Sequence, residues 1–285
     1  MLAQQIANSL VLGSIYALCA LGFTLLFGVA RVINFAYGEL LMLGAFSTLA
    51  MMQFMRVGFF VALPVAMLVL ALLSVVIYLA TVRPVMRGTP LQSLLVTTGV
   101  LYVLHEVAII IWGTDPRQMD MGIEGAVEIG TLIVTYQRLV AIGTMLVLVL
   151  VLYWMLYRLR IGKALRAVAQ NRTGAESIGI NVDRVIGVAF AVSGAMACAA
   201  GALIGALYAT EPNMGGAPLL KSFVIVIFGG LGSISGAIVG GLLIGLAETL
   251  TGAYISYAFK DVFTFLIMIV VLLLRPNGVL GKRAV

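Results

Sequence analysis

Residues 58–82 of this chain read GFFVALPVAMLVLALLSVVIYLATV and contain no charged side chain. A helix needs about 20 mostly apolar residues to cross the hydrocarbon core of a bilayer. The stretch is long enough to do so, and Arg83 follows it directly. We therefore predict a transmembrane helix at these residues.

Similar apolar runs make up most of the rest of the chain. They occupy approximately residues 5–28, 39–56, 91–113, 137–157, 185–209 and 254–274. Of the 285 residues, 62% are apolar and only 10% are charged, whereas soluble domains carry about 25% charged residues. This composition excludes a soluble enzyme. We predict that residues 1–285 form a single all-α polytopic membrane domain with about seven to eight transmembrane helices.

The charged residues between the runs predict the orientation of the chain. Segments 83–90, 158–184 and 275–285 hold 11 of the 17 basic residues, whereas the connection 114–136 carries four acidic residues and one Arg. Loops rich in Lys and Arg stay on the cytoplasmic side. The three basic segments, including the C-terminus, are therefore expected to be cytoplasmic and the acidic connection external. A topology signal of this kind explains the net charge of +6 without nucleic acid.

A Gly-rich apolar stretch at residues 219–251 does not fit this pattern of single crossings. Its first part, 219–230, would form about 18 Å of helix, which is too short for a core of about 30 Å. We predict a re-entrant or broken hairpin that turns at residues 229–233. Irregular backbone at membrane depth survives only where protein or water covers it, so this hairpin is expected to line a pathway.

A second interruption, Arg31 to Gly38, separates the first two apolar runs. Arg31 favours a cytoplasmic position for this break and an external N-terminus. Both interruptions follow a helix rich in small residues, and repeats of this kind are typical of transporters. The pattern suggests two related halves.

Small residues also recur at every fourth position, a spacing that lets helix backbones approach closely in lipid. One set comprises Ser193, Ala197, Gly201 and Gly205, and a second one comprises Ala237, Gly241 and Gly245. We expect these stripes to pack against other helices of the same chain, with a subunit interface as the alternative.

Two carboxylates, Glu106 and Glu248, fall within or near the end of apolar segments. A charge in lipid is costly, which makes such residues functional candidates. The alternative is that helix partners or interfacial water satisfy them. Thr97 and Thr98 lie mid-helix, where hydroxyls either bond to carbonyls of the preceding turn or face a cavity.

Metal and nucleophilic sites are not indicated. His105 is the single histidine, and Cys19 and Cys198 lie in separate apolar runs. These residues form no CxxC motif and no His-based metal motif. We expect no metal and no catalytic residue.

Residues 158–184, RLRIGKALRAVAQNRTGAESIGINVDR, carry the most distinctive pattern in the chain. The helical period places Leu165 and Val168 on one face and Lys163, Arg166 and Gln170 largely on another. A short amphipathic helix outside the bilayer is therefore predicted. A basic loop that lies on the lipid surface is the alternative. Docking on a partner is favoured, because 27 residues exceed the needs of a plain connection and small residues are interspersed.

The phosphate-binding motif GxxxxGK[ST] does not occur, so the chain is not expected to hydrolyse ATP. A cytoplasmic helix in a membrane protein without its own ATPase is typical of a permease driven by a separate ATPase.

Five motifs resemble the permease family of the high-affinity branched-chain amino acid ABC importers, and the resemblance covers nearly the whole chain. They are Asn34-Phe-Ala-Tyr-Gly-Glu39, Arg83-Pro-Val-Met-Arg-Gly-Thr-Pro90 with the following 92–99, Arg166-Ala-Val-Ala-Gln-Asn171, Gly179-Ile-Asn-Val-Asp183 and Phe228-Gly-Gly-Leu-Gly-Ser-Ile-Ser-Gly-Ala237.

The resemblance implies a multi-pass subunit of the bacterial inner membrane. Its expected partners are a second permease, two ATPases that use ATP and Mg, a periplasmic substrate-binding protein and membrane lipid. The permease pair is expected to be a heterodimer, with a homodimer as the alternative. No cofactor is expected on this chain, and no nucleic acid.

Import permeases of this kind present a coupling loop of pattern Glu-Ala-Ala-x3-Gly. The matching positions here are Thr173, Gly174, Ala175 and Gly179, so the second Ala and the Gly are kept, while the Glu is absent. We expect Arg166, Gln170 and Arg172 to make the polar contacts with the ATPase. The translocation pathway is expected to include Asn34, Tyr37, Glu39, Thr97, Thr98, Glu106, Gly230 and Ser233.

The leading hypothesis is a non-catalytic ABC permease for branched-chain or related small amino acids. The alternative is an ion-coupled secondary transporter of a small polar solute, suggested by Glu106, Glu248 and the broken helices. A channel ranks third, because the rings of charged residues expected of a channel are not apparent. The sequence does not separate leucine, isoleucine and valine from other small amino acids, urea or aromatic acids.

Overall fold

The computed structural model describes residues 2–86, 88–129, 132–275 and 278–280. The described chain is almost entirely helical. Its helices are α1 (Leu2–Ala30), α2 (Tyr37–Met55), α3 (Phe59–Ile77), α4 (Arg83–Val85), α5 (Pro90–Trp112), α6 (Tyr136–Arg158), α7 (Arg160–Gln170), α8 (Arg172–Ser177), α9 (Val182–Leu207), α10 (Gly216–Gly229), α11 (Ile234–Tyr254) and α12 (Lys260–Leu274). A π-helical segment, Tyr78–Val82, joins α3 to α4.

Nine helical segments of the described residues are long and apolar enough to cross a membrane. All seven runs predicted from the sequence are among them, which confirms the all-α polytopic fold. The other two segments are the arms of the 219–251 hairpin. Its turn lies at Gly230–Ser233, as predicted, but a 3-10 turn at Pro212–Gly215 extends the first arm to 18 residues, Pro212–Gly229. The sequence missed this extension because Glu211 and Asn213 interrupt the apolar pattern.

The 114–136 connection contains a β-hairpin that the sequence analysis did not predict. Strand β1 (Ala126–Ile129) pairs antiparallel with β2 (Leu132–Thr135), with Val127 opposite Val134. Strands of four residues are too short for their alternation to stand out from a loop. A backbone bridge between Arg117 and Thr210 holds the same connection against the end of α9.

Helix α1 lies at the centre of the bundle and contacts α6, α9, α10 and α11. The small-residue stripes explain the close approach of α11 to α1 and of α9 to α2. A Cβ at Gly241 would lie 2.5 Å from the Ala17 nitrogen, and one at Gly201 would overlap the Leu41 carbonyl. Both stripes therefore bring helices of the same chain together. Helices α5 and α12 are mostly exposed at the edge of the bundle.

Helices α7 and α8 lie at one end of the bundle, between the last residue of α6 and the first of α9. Because α9 starts at this end and spans 26 residues, its last residue, the start of α10 and the end of α11 lie at the other end. Arg83 of α4 pairs with Asp183 at the start of α9, 2.5 Å away, so it lies at the α7–α8 end. Arg87, Lys282 and Arg283, and with them the predicted cytoplasmic C-terminus, lie outside the described residues.

Candidate functional site

The break between α1 and α2 is held by short polar contacts. Arg31 takes a left-handed conformation, with φ of 53°, and ends α1. The buried Asn34 accepts a hydrogen bond from the Ala36 N–H through Oδ1, at 3.1 Å. The Tyr37 hydroxyl donates to the Cys19 carbonyl of α1, at 2.8 Å. These bonds explain how non-helical backbone persists inside an apolar bundle.

Thr97 connects this break to α5. Its Oγ1 lies 3.0 Å from the Leu94 carbonyl oxygen and 3.3 Å from that of Ile33, so the hydroxyl can donate to either, and it accepts from the Phe35 N–H at 3.4 Å. Thr98, in contrast, donates only to Leu94 of its own helix, at 2.9 Å. Of the two threonines, only Thr97 therefore joins Asn34 and Tyr37 around the break.

Glu39 on α2 pairs with His105 on α5, with 3.4 Å between Oε2 and Nδ1. This pair is not predictable from the sequence, because 66 residues separate its members and no motif links them. The buried Glu39 extends the polar surroundings of the break to α5.

Glu106 points away from this group. It is exposed on the outer face of α5, beside the exposed Tyr102, Val103 and Ile110. The structure therefore does not bring Glu106 together with Glu39 and the other predicted pathway residues within one chain.

The turn between α10 and α11 contains Gly230 and Ser233. Gly230 has a φ of 100°, and Ser233 Oγ caps α11 by accepting from the Gly236 N–H at 3.1 Å. A Cβ at Gly28 would lie 3.2 Å from Gly232 Cα, so the turn lies against the last residues of α1. The two irregular segments therefore lie at the same end of α1.

Glu248 belongs to a buried ionic cluster. Its carboxylate lies 2.5 Å from Lys221 Nζ, 2.9 Å from the donating Tyr16 hydroxyl and 3.6 Å from Lys260 Nζ. Lys221 also donates to the Tyr16 hydroxyl at 2.8 Å and pairs with Asp261 at 3.1 Å. Helix partners thus satisfy Glu248, which was the alternative left open by the sequence. Lys221 was missed, although a lysine within an apolar run is itself a signal.

Helix α7 is amphipathic as predicted. Leu165 and Val168 are buried, whereas Lys163 and Gln170 are exposed. We expected Arg166 to contact the ATPase. In the structure its guanidinium carbon instead lies 4.5 Å above the Tyr157 ring of α6.

Helix α8 projects from the bundle. Only Ala175 is buried on it, and Arg172 forms an ion pair with Glu176 at 3.6 Å. A turn at Gly179, whose φ is 83°, follows α8, and the Ile180 N–H donates to the Ala175 carbonyl. Ala175 and Gly179 thus shape the helix, and the side chain presented to solvent beside them is Ile178, which is 75% exposed. The sequence analysis did not single out Ile178.

The nine apolar segments, the two polar breaks and the projecting helix pair define a multi-pass membrane permease. The family model for the permease component of branched-chain amino acid transport systems matches residues 5–272. The chain therefore belongs to this permease family.

Individual relatives match over almost the full length of the chain. The chain is 35% identical over 301 residues to the high-affinity branched-chain amino acid transport system permease protein LivH of Escherichia coli K12, covering 99% of this chain and 96% of the relative. It is 34% identical to LivH of Salmonella typhimurium LT2 and 29% identical to BraD of Pseudomonas aeruginosa, with the same two coverages.

Proposed function

We propose that this chain is the pathway-forming subunit of an importer for branched-chain or related small amino acids in a bacterial inner membrane. Separate ATPases supply the energy, and a periplasmic binding protein supplies the substrate. The observation that carries the proposal is the projecting α7–α8 pair, in a chain whose relatives are named as branched-chain amino acid transport permeases.

The basic residues support a cytoplasmic position for this pair. Arg158, Arg160, Lys163, Arg172 and Arg83 all lie at the α7–α8 end of the bundle. Positive charge of this density favours the cytoplasmic side. The opposite end, with the start of α10 and the end of α11, is then external, and the binding protein docks there.

The exposed Ile178 is the proposed anchor for the ATPase. An isoleucine that faces water at the end of a polar helix gains free energy when a partner covers it. Around it, Gln170 and Arg172 supply polar contacts, whereas Arg166 acts mainly by holding α7 on α6. Ala175 and Gly179 keep the helix in the shape that presents Ile178.

The pathway is proposed to run between two permeases rather than through one chain. Glu106 is exposed on α5 at membrane depth, where lipid would be a costly neighbour. A second permease against α5 would cover Glu106 with protein or water. Asn34, Tyr37, Glu39, Thr97, Gly230 and Ser233 then belong to the moving breaks behind that surface.

An ion-coupled secondary transporter is not favoured. Glu248 is engaged by Lys221, Tyr16 and Lys260, and Glu106 lies apart from the polar break.

The test is copurification of the ATPases with the tagged chain from cells that produce the whole importer. Ile178→Glu is expected to reduce the recovered ATPase at least about tenfold, because the ATPase would then have to bury a charge in place of an apolar side chain. Ile133→Glu is the matched control, since Ile133 is 51% exposed and lies at the end of the bundle opposite α7 and α8. Equal ATPase recovery with both variants would contradict the proposed docking surface.

A further inference from the structure

A cleft of about 870 Å³ opens at the end of the bundle opposite α7 and α8. Its walls come from α1, α6, α9, α10 and α11, from the segment 208–214 and from the residues around the start of α12. The cleft lies within one chain, so it is distinct from the proposed pathway between two permeases. Its volume falls in the range of about 300–1,000 Å³ that is usual for small-molecule sites.

One wall of the cleft is formed by a fixed ionic cluster. Lys221 and Glu248 are more than nine-tenths buried and are held by each other and by Tyr16. Lys260 is more open, with 22% of its side chain exposed, and its Nζ donates to the Tyr257 hydroxyl at 2.8 Å. Because an ammonium group has three donors, Lys260 keeps hydrogen-bonding capacity for a ligand.

Charges of both signs also line the rest of the cleft. Glu211 is partly buried there and forms no ion pair within the described part of the chain. Arg138 donates through Nη1 to Asn8 at 2.6 Å, which leaves the other donors of its guanidinium. The cleft thus offers a carboxylate for an ammonium ion and cationic donors for a carboxylate.

Part of the remaining lining is aliphatic, beside polar and aromatic side chains such as Asn213 and Tyr208. Leu12, Ile15, Ile204 and Met214 all border the cleft. A pocket that combines an apolar part with a few polar groups is typical of sites for small amphipathic molecules.

We propose that the cleft is a binding site for a small zwitterion with an aliphatic side chain, namely an amino acid. Lys260 and Arg138 bind its carboxylate, Glu211 binds its ammonium group, and the aliphatic lining takes its side chain. Glu248 is a positioning residue that holds Lys260 at the wall, and Lys221 in turn holds Glu248. The site adds a place for substrate binding to the proposed function. It rests on that function only for placing the cleft on the side of the membrane where the substrate arrives.

The test uses the purified full chain in nanodiscs of phosphatidylglycerol, which contain no zwitterionic lipid. Saturation-transfer NMR with leucine detects weak binding directly and needs neither ATPase nor transport. Leucine is expected to give a saturable signal. Leucinol, which lacks the carboxylate, and 4-methylpentanoate, which lacks the ammonium group, are expected to compete at least about tenfold more weakly, because each loses charge-assisted hydrogen bonds.

Variants locate the binding. Lys260→Met and Glu211→Gln should each weaken leucine binding at least about tenfold, and Lys163→Met, at the opposite end, should leave it unchanged. Thermal unfolding shows whether either variant is misfolded. If one of them is, the other still tests the site. Unchanged binding in both variants, or no saturable signal from leucine, would overturn the proposal.

Lipid is the competing occupant. If leucine binding disappears when phosphatidylethanolamine is included in the nanodiscs, the cleft is a headgroup site and the proposal is wrong. Absence of leucine binding to the unmodified chain, together with ATP-driven uptake by the whole importer, would overturn the cleft site alone. Uptake that needs no ATPase would instead overturn the proposed function.

Discussion

Lys221 and Glu248 lie on different helices, 27 residues apart, yet their charged atoms are 2.5 Å apart in the folded chain. Glu248 was a functional candidate from the sequence because an intramembrane carboxylate is costly. Its partners were not predictable, since they come from α1, α10 and α12. The sequence shows that burying a charged side chain at this position costs free energy. Only the fold shows which residues offset that cost.

Replacing Lys221 by Met should destabilise the protein by about 3 kcal/mol, because it leaves Glu248 buried without its closest cation. Lys260 Nζ, 3.6 Å from the Glu248 carboxylate, still offers it a cation. The loss of stability should therefore lie near the lower end of the range that is usual for a broken buried ion pair. The double variant Lys221→Met/Glu248→Met should recover most of this stability. Thermal unfolding in detergent measures both, with Lys163→Met as the exposed control. A double variant no more stable than the single one would contradict the ion-pair interpretation.

Gly201→Leu should destabilise the chain by about 1–3 kcal/mol or more, because the new side chain overlaps the Leu41 carbonyl at the α2–α9 contact. Gly99→Ala is the matched control. Gly99 is also helical, but no atom lies within 4 Å of its added Cβ. The control should be neutral or more stable by about 0.5–1 kcal/mol. Equal melting temperatures for both variants would argue against close packing at Gly201.

Among the helices, α5 links the surface of the chain to the break before α2. Thr97 reaches that break, His105 reaches Glu39, and Glu106 faces outward. The helical period alone separated His105 from Glu106 by about 100°. The period could not tell which of the two faced the bundle, because both faces of α5 are largely apolar.

Thr97→Val should loosen the break while keeping the size of the side chain. Loss of a hydrogen bond worth about 1 kcal/mol should raise amide exchange at residues 33–37 about fivefold, because the break opens more often. Thr98→Val removes a hydroxyl that bonds only within α5, so it should leave these amides unchanged. Hydrogen exchange with mass spectrometry measures both. Faster exchange in both variants, or in neither, would count against Thr97 as the link.

The 158–184 segment shows how far an element can be predicted. The amphipathic α7 follows from the spacing of Leu165 and Val168. The separate α8 is capped by Asn171, whose Oδ1 accepts from the Gly174 N–H at 2.9 Å. The exposure of Ile178 could not be predicted from the sequence, because only the packing of the folded chain shows that no neighbouring residue covers it.

Across the whole molecule, composition and apolar run length were sufficient to predict a polytopic α-helical fold. The number of apolar segments was predicted less well, at about seven to eight against nine among the described residues. The difference arises because the first arm of the hairpin begins in a polar 3-10 turn. The two related halves stay a prediction. The cytoplasmic C-terminus also stays a prediction, and it is part of the orientation on which the proposed importer depends.

Uptake by the reconstituted importer tests the proposed function most directly. Liposomes would contain this chain with its second permease and the two ATPases, and the binding protein and radiolabelled leucine would be outside. We predict uptake that requires ATP in the compartment of the ATPases, requires the binding protein and persists when a protonophore is added. Uptake by this chain alone, driven by an ion gradient and independent of ATP, would contradict an ATPase-driven permease.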